Sequence, residues 1–115
     1  MMYFLDTHAM LEMLNGRAPF MQFLPGGCTN HFNLLELHVG ACRIKGEDEA
    51  DAKLRRLQSK AIPVEADDVL AASRIKRTIR GSSYADALGY AMAQRRRIPF
   101  VTGDKTFKGL PGVLP

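Results

Sequence analysis

At 115 residues the chain is sized for one domain, spanning 1–115, whose core needs no disulfide or metal staple. Its 46% hydrophobic and 24% charged residues exclude wholesale disorder, and 16 Lys and Arg against 12 Asp and Glu give a net charge of +4 that favours a polyanionic partner. Two cysteines, Cys28 and Cys42, exclude a disulfide scaffold and a four-cysteine zinc site, and no apolar run approaches the roughly 18 residues of a membrane span, so the expected setting is the reducing cytoplasm.

The opening Met1-Met2-Tyr3-Phe4-Leu5-Asp6 has no basic start, and its apolar run stops at Asp6, so no secretory signal is expected. Residues 3–5 read as a strand. A helix follows, with Met10, Leu11 and Leu14 at helical spacing and Asn15-Gly16 as its end. Residues 19–24 read as a short second helix, stopped by Pro25-Gly26-Gly27. A second strand near 28–30 leads into a helix of about 12 residues, with Phe32, Leu35, Val39 and Cys42 as its apolar positions. Residues 47–58 form a charged amphipathic helix with Ala50, Leu54 and Leu57 inward. Residues 61–64 read as a third strand, and 66–80 as a helix with Val69, Leu70, Ser73 and Ile75 toward the core. Gly81-Ser82-Ser83 breaks that helix. Residues 84–96 form an alanine-rich helix, 98–102 a fourth strand, and 112–114 a fifth.

Short apolar strands alternating with helices predict an α/β fold, a parallel sheet covered by helices on both faces. Sites in such sheets form beyond the carboxyl ends of the strands. Asp6 follows the first strand and Asp104 the fourth. Each acid also has a local reading. Asp6 could cap the helix after it, Asp104 could close an Asx-turn, and Ser83-x-x-Asp86 has the form of a capping box. Glu36 lies inside a helix between leucines, and a carboxylate drawn into apolar surroundings needs a partner or a metal; outward projection into water is its other reading. Four carboxylates converging on one sheet edge would repel and raise one another's pKa values. Hard cations with oxygen ligands, Mg²⁺ or Mn²⁺, relieve that repulsion and can activate water against a phosphodiester.

With these four segments in view, the chain resembles the PIN domain family, and most the small VapC-type ribonuclease toxins. Tyr3-Phe4-Leu5-Asp6-Thr7-His8-Ala9-Met10-Leu11 resembles the first motif of the family, and Asn33-Leu34-Leu35-Glu36-Leu37 the second. Tyr84-Ala85-Asp86-Ala87-Leu88-Gly89-Tyr90-Ala91-Met92-Ala93 resembles the third, and Pro99-Phe100-Val101-Thr102-Gly103-Asp104-Lys105-Thr106-Phe107 the fourth. The resemblance implies a three-layer α/β/α sandwich with a short central parallel sheet. It implies a metal-dependent endoribonuclease with Mg²⁺ or Mn²⁺ held by Asp6, Glu36, Asp86 and Asp104, which are then both catalytic and metal residues. Thr102 matches a small hydroxyl residue that supports the site, and Thr7 follows the first ligand. A cognate antitoxin whose tail covers the pocket, and a homodimer, are implied too. The chain is short for the family, and Thr106 stands where some members carry a further acid, a departure that bears on a second metal and not on the first.

The basic residues offer an RNA contact. Lys105 and Lys108 flank Asp104, and Arg97 closes the run Arg95-Arg96-Arg97, which is either a phosphate track or favourable charge at a helix C-terminus. Three histidines, His8, His31 and His38, lack the spacing of a shared metal site and read as structural. The apolar positions around 9–14, or the helix at 47–58, are the expected dimer surface. A dehalogenase-like phosphatase would need an aspartate where His8 stands, and a receiver domain would need an acidic pair that is absent. Two alternatives stay open from the residues: a basic α/β module that binds nucleic acid or protein without catalysis, and a PIN enzyme of RNA processing outside any toxin–antitoxin pair.

Overall fold

In a computed structural model covering residues 1–115, β1 (Tyr3–Leu5) leads into α1 (Thr7–Leu14), and α2 (Ala18–Met21) precedes β2 (Gly27–Cys28). The helices α3 (His31–Lys45), α4 (Glu47–Leu57), α5 (Ala66–Thr78) and α6 (Tyr84–Arg96) follow, and β3 (Phe100–Val101) and β4 (Val113–Leu114) end the chain. The sheet order is β2-β1-β3-β4 and every pairing is parallel. Phe4 pairs with Phe100 and Leu5 with Val101. The chain therefore leaves β1 and β3 side by side, and Asp6 emerges next to Thr102.

Alternation along the strands builds the three layers. Phe4 and Phe100 face one side, where they pack with Tyr90, Met92, Phe107 and the alanines of α6. Leu5 and Val101 face the other, against Met10, Met13, Leu34, Leu37 and Leu57 of α1, α3 and α4. The expected α/β/α sandwich is the observed one. Its alanine-rich helix lies close on the sheet: a Cβ at Gly89 would stand 2.8 Å from Phe4 Cε1 and 3.2 Å from Phe100 Cε1.

Several local expectations are corrected. Residues 61–64 make only a single bridge, Ala61 to Thr29, so the sheet has four strands. The second helix ends at Met21, short of Leu24. In α3 the buried side chains are Asn33, Leu34, Leu37 and Ala41, while Phe32, Leu35 and Val39 are exposed. In α5 Asp68 and Ala72 point inward, and Val69 and Leu70 point to water. Ala9, Met10 and Met13 belong to the core, and α4 turns Ala50 and Leu57 inward as expected.

Candidate active site

Parallel pairing sends the chain out of β1 and β3 at one edge of the sheet, and helix caps then hold what emerges there. Asp6 is the N-cap of α1, and its Oδ1 accepts the Ala9 amide proton at 2.7 Å. The capping reading and the ligand reading of Asp6 are both met by the same side chain. One oxygen caps, and the other, Oδ2, is buried with no hydrogen-bond partner. Asp6 is fully buried, and its pKa is pushed up to about 7. Burial is the main cause. The charges of Asp86 and Asp104 add to the rise; the Ala9 amide opposes it, as does the Thr102 hydroxyl, which lies nearby but outside hydrogen-bond geometry.

Asp86 sits in the first turn of α6, whose cap is Ser83: the Ser83 Oγ accepts from the Asp86 amide at 3.0 Å. Partial burial raises the Asp86 carboxyl, Ser83 opposes that, and Asp104 and Glu36 reinforce it. Asp104 caps the 3-10 turn Lys105–Phe107 by accepting from the Thr106 amide at 2.9 Å, and its own amide donates to Thr102 Oγ1 at 2.9 Å. The structure thus brings Asp86 and Asp104 within electrostatic reach of Asp6, and Asp104 and Glu36 within reach of Asp86. No three His, Cys, Asp or Glu side chains are close enough to hold one ion together. Glu36 is exposed at the rim, and the apolar setting expected from its leucine neighbours is corrected: its bond is to the Thr7 hydroxyl, 3.0 Å from Oε1. Thr7 and Thr102 are internal struts of the site.

Neighbouring acid charges raise the Asp6 and Asp86 carboxyls, and Asp6 leaves one buried oxygen bare; carboxylate oxygens are the ligand chemistry of a hard divalent cation. Asp6 Oδ2 is the observation that decides the fit, because a buried carboxylate oxygen without a partner is costly.

Lys105 and Lys108 are exposed beside Asp104. Arg97 is placed elsewhere. It precedes β3 and lines a cavity with Pro99, Pro111 and Gly112, at the opposite end of the sheet from the carboxylates. Arg95 and Arg96 are held by Asp68 and Glu65, which corrects the reading of the arginine run as a phosphate track. His38 is structural, 2.6 Å from Asp51 across α3 and α4. His8 is exposed over the β3 loop, and its ring fills the space that a Cβ at Gly103 would need.

Two features were not anticipated from sequence. Asn30 and Asn33 are buried at the start of α3 and hydrogen-bonded to each other, with Asn33 one helical turn before Glu36. An Asn-x-x-Asn step opening a helix carries the signal, because buried asparagines need partners. A cavity of about 400 Å³ also opens between α5 and the first turn of α6, lined by Phe32, Val69, Lys76, Arg77, Tyr84 and Leu88 among others. Only a tertiary arrangement shows it.

The family model of the PIN domain matches residues 3–113. No curated protein matches the chain. Among solved structures the chain is similar to a toxin–antitoxin complex from Klebsiella pneumoniae, at 23% identity and TM-score 0.76, covering 98% of this chain and 96% of that one. It is similar to Mycobacterium tuberculosis VapC20, a sarcin–ricin loop cleaving toxin, at 19% identity and TM-score 0.76, covering 96% of each chain. It is also similar to DNA-bound VapBC from Salmonella typhimurium, at 17% identity and TM-score 0.74, covering 98% and 95%. At these identities the likeness is one of fold.

Proposed function

The chain belongs to the PIN domain family, and from that premise we propose that it is a metal-dependent endoribonuclease, the toxin of a toxin–antitoxin pair acting in the cytoplasm. The observation that carries the reading is Asp6: a buried carboxylate with a bare oxygen, set among Asp86 and Asp104 at the carboxyl edge of the sheet. Asp6, Glu36, Asp86 and Asp104 would hold Mg²⁺ or Mn²⁺. When bound, such a cation supplies Lewis acidity to the phosphodiester and to water.

The chain's own residues do the rest. The Ala9 amide fixes one Asp6 oxygen and so aims the other into the site. The Thr102 hydroxyl anchors the Asp104 backbone. Lys105 and Lys108 offer point charges to RNA phosphates next to Asp104. Exposed Tyr84, with Lys76 5.0 Å from its ring centroid, stands two residues before Asp86 at the α5–α6 cavity. An aromatic face with adjacent bases suits an unstacked nucleotide, which favours single-stranded RNA.

Exposed Leu35, Val39, Val69 and Leu70 on α3 and α5 supply an apolar surface for a second copy. The solved relatives named as toxin–antitoxin complexes support a protein antitoxin as partner. The test is cleavage of a single-stranded RNA pool by purified protein with Mn²⁺. Asp6→Asn and Asp104→Asn are expected to be inactive with unchanged circular dichroism, and full activity in either variant sinks the reading.

A further inference from the structure

We propose that Asn33 is a positioning residue of this site, fixing Thr7 and, through Thr7, the carboxylate of Glu36. The inference rests on the metal-site reading above and concerns residues within the chain.

Asn33 is fully buried, and its amide has a single satisfiable orientation. Its Oδ1 accepts from the Thr7 amide at 3.0 Å and stands 3.0 Å from Thr7 Oγ1. Its Nδ2 donates to Asn30 Oδ1 at 2.9 Å. Asn30 is held in turn: its Oδ1 also accepts from the Asn33 amide at 2.8 Å, and its Nδ2 donates to Met92 Sδ at 3.3 Å. A flip of either amide would set donors against donors. The pair therefore locks the residue after Asp6, at the first turn of α1, to the first turn of α3.

The Thr7 hydroxyl carries one proton and has three oxygens in reach: Asn33 O at 3.2 Å, Asn33 Oδ1 at 3.0 Å and Glu36 Oε1 at 3.0 Å. The Thr7 amide already donates to Asn33 Oδ1. The carboxylate is the charged acceptor, so it takes the hydroxyl proton. That is the hydrogen bond Glu36 makes with the protein. Glu36 is exposed, and without this bond its side chain would sample its rotamers in water. Asn33 sets where Thr7 stands, and Thr7 sets where Glu36 points.

The test is Mn²⁺ affinity of the full chain by titration calorimetry, with Mn²⁺ alone as probe. Asn33→Leu and Thr7→Val are each expected to weaken binding about tenfold, as loss of a ligand's supporting partner does, and Thr7→Ser is expected to stay near wild type. In a Glu36→Gln background neither change should weaken binding further, whereas in an Asp86→Asn background both should. A merely structural role would give the same loss in both backgrounds. Unchanged affinity in Asn33→Leu and Thr7→Val, or a full loss persisting with Glu36→Gln, overturns the proposal while leaving the metal site in place. No Mn²⁺ binding by the wild type removes the metal-site reading and this inference with it. Thr7→Val carries the same test if Asn33→Leu does not fold.

Discussion

Asp68 and Arg96 meet in a two-point contact: Arg96 Nη1 is 2.8 Å from Asp68 Oδ1, and Nη2 is 2.9 Å from Oδ2. Arg95 joins at 2.7 Å, and Asp68 Oδ2 also accepts from the Glu65 amide at 2.8 Å, closing the capping box of α5. One fully buried carboxylate thus starts α5 and ties it to the end of α6. The Arg96 guanidinium is the largest cause holding this carboxyl far below its ordinary value of 3.8.

Asp68→Asn is therefore expected to destabilise the fold by roughly 2 kcal/mol, reduced from the fully buried case because both guanidinium groups reach water. A carboxyl lowered in the folded state stabilises above the unfolded pKa. The difference between wild type and variant is full at pH 7 and is lost as pH falls below about 4 toward the folded value. Urea unfolding at pH 7 and pH 3 measures it, and equal differences at the two pH values contradict the account.

Asp6 carries the opposite sign. Its folded pKa is raised from 3.8 to about 7, so its ionised form opposes folding. Stability from this group is full below pH 4 and declines as pH rises through 7. In metal-free buffer at pH 8, Asp6→Asn keeps the cap and removes the bare charge. It should be more stable than wild type by as much as ~4 kcal/mol, with the gap closing at pH 4. Thermal unfolding in chelator at the two pH values reads this directly.

At Gly89 the clearance is steric. A methyl group there meets Phe4 Cε1 at 2.8 Å and Phe100 Cε1 at 3.2 Å, inside a layer that cannot yield freely. Gly89→Val should cost about 3 kcal/mol through overpacking of α6 against the sheet, visible as a lowered denaturation midpoint with a similar slope.

Lys105 and Arg97 separate substrate charge from surface charge. Lys105 adjoins Asp104, and Arg97 lies at the far end of the sheet. Lys105→Glu should weaken RNA binding about tenfold and flatten its salt dependence, and Arg97→Glu should leave both near wild type. Fluorescence anisotropy across a salt series with a single-stranded RNA distinguishes them.

The layer order was legible because each short apolar run is followed by a helical pattern, and Asp6, Asp86 and Asp104 fall at element ends where turn and cap residues punctuate the chain. The faces of α3 and α5 were not. Phe32, Leu35 and Val39 form an apolar stripe at helical spacing, yet the sheet takes the stripe holding Leu34, Leu37 and Ala41, with Asn33 inside it. Hydrophobic periodicity finds stripes and does not choose between two of them. Asp68 draws its side of α5 inward because its partners Arg95 and Arg96 wait 27 and 28 residues along, a pairing no local pattern reveals. The same applies to Glu36, whose leucine neighbours suggested burial while the turn of the helix carries it to the rim beside Thr7.

The most direct measurement is a crystal of the protein soaked in Mn²⁺, with anomalous diffraction recorded near the manganese edge. The account predicts an anomalous peak between Asp6, Glu36, Asp86 and Asp104, with Asp6 Oδ2 among its ligands, and no peak in crystals of Asp6→Asn. Ordered carboxylates at full Mn²⁺ exposure with no peak between them would contradict it.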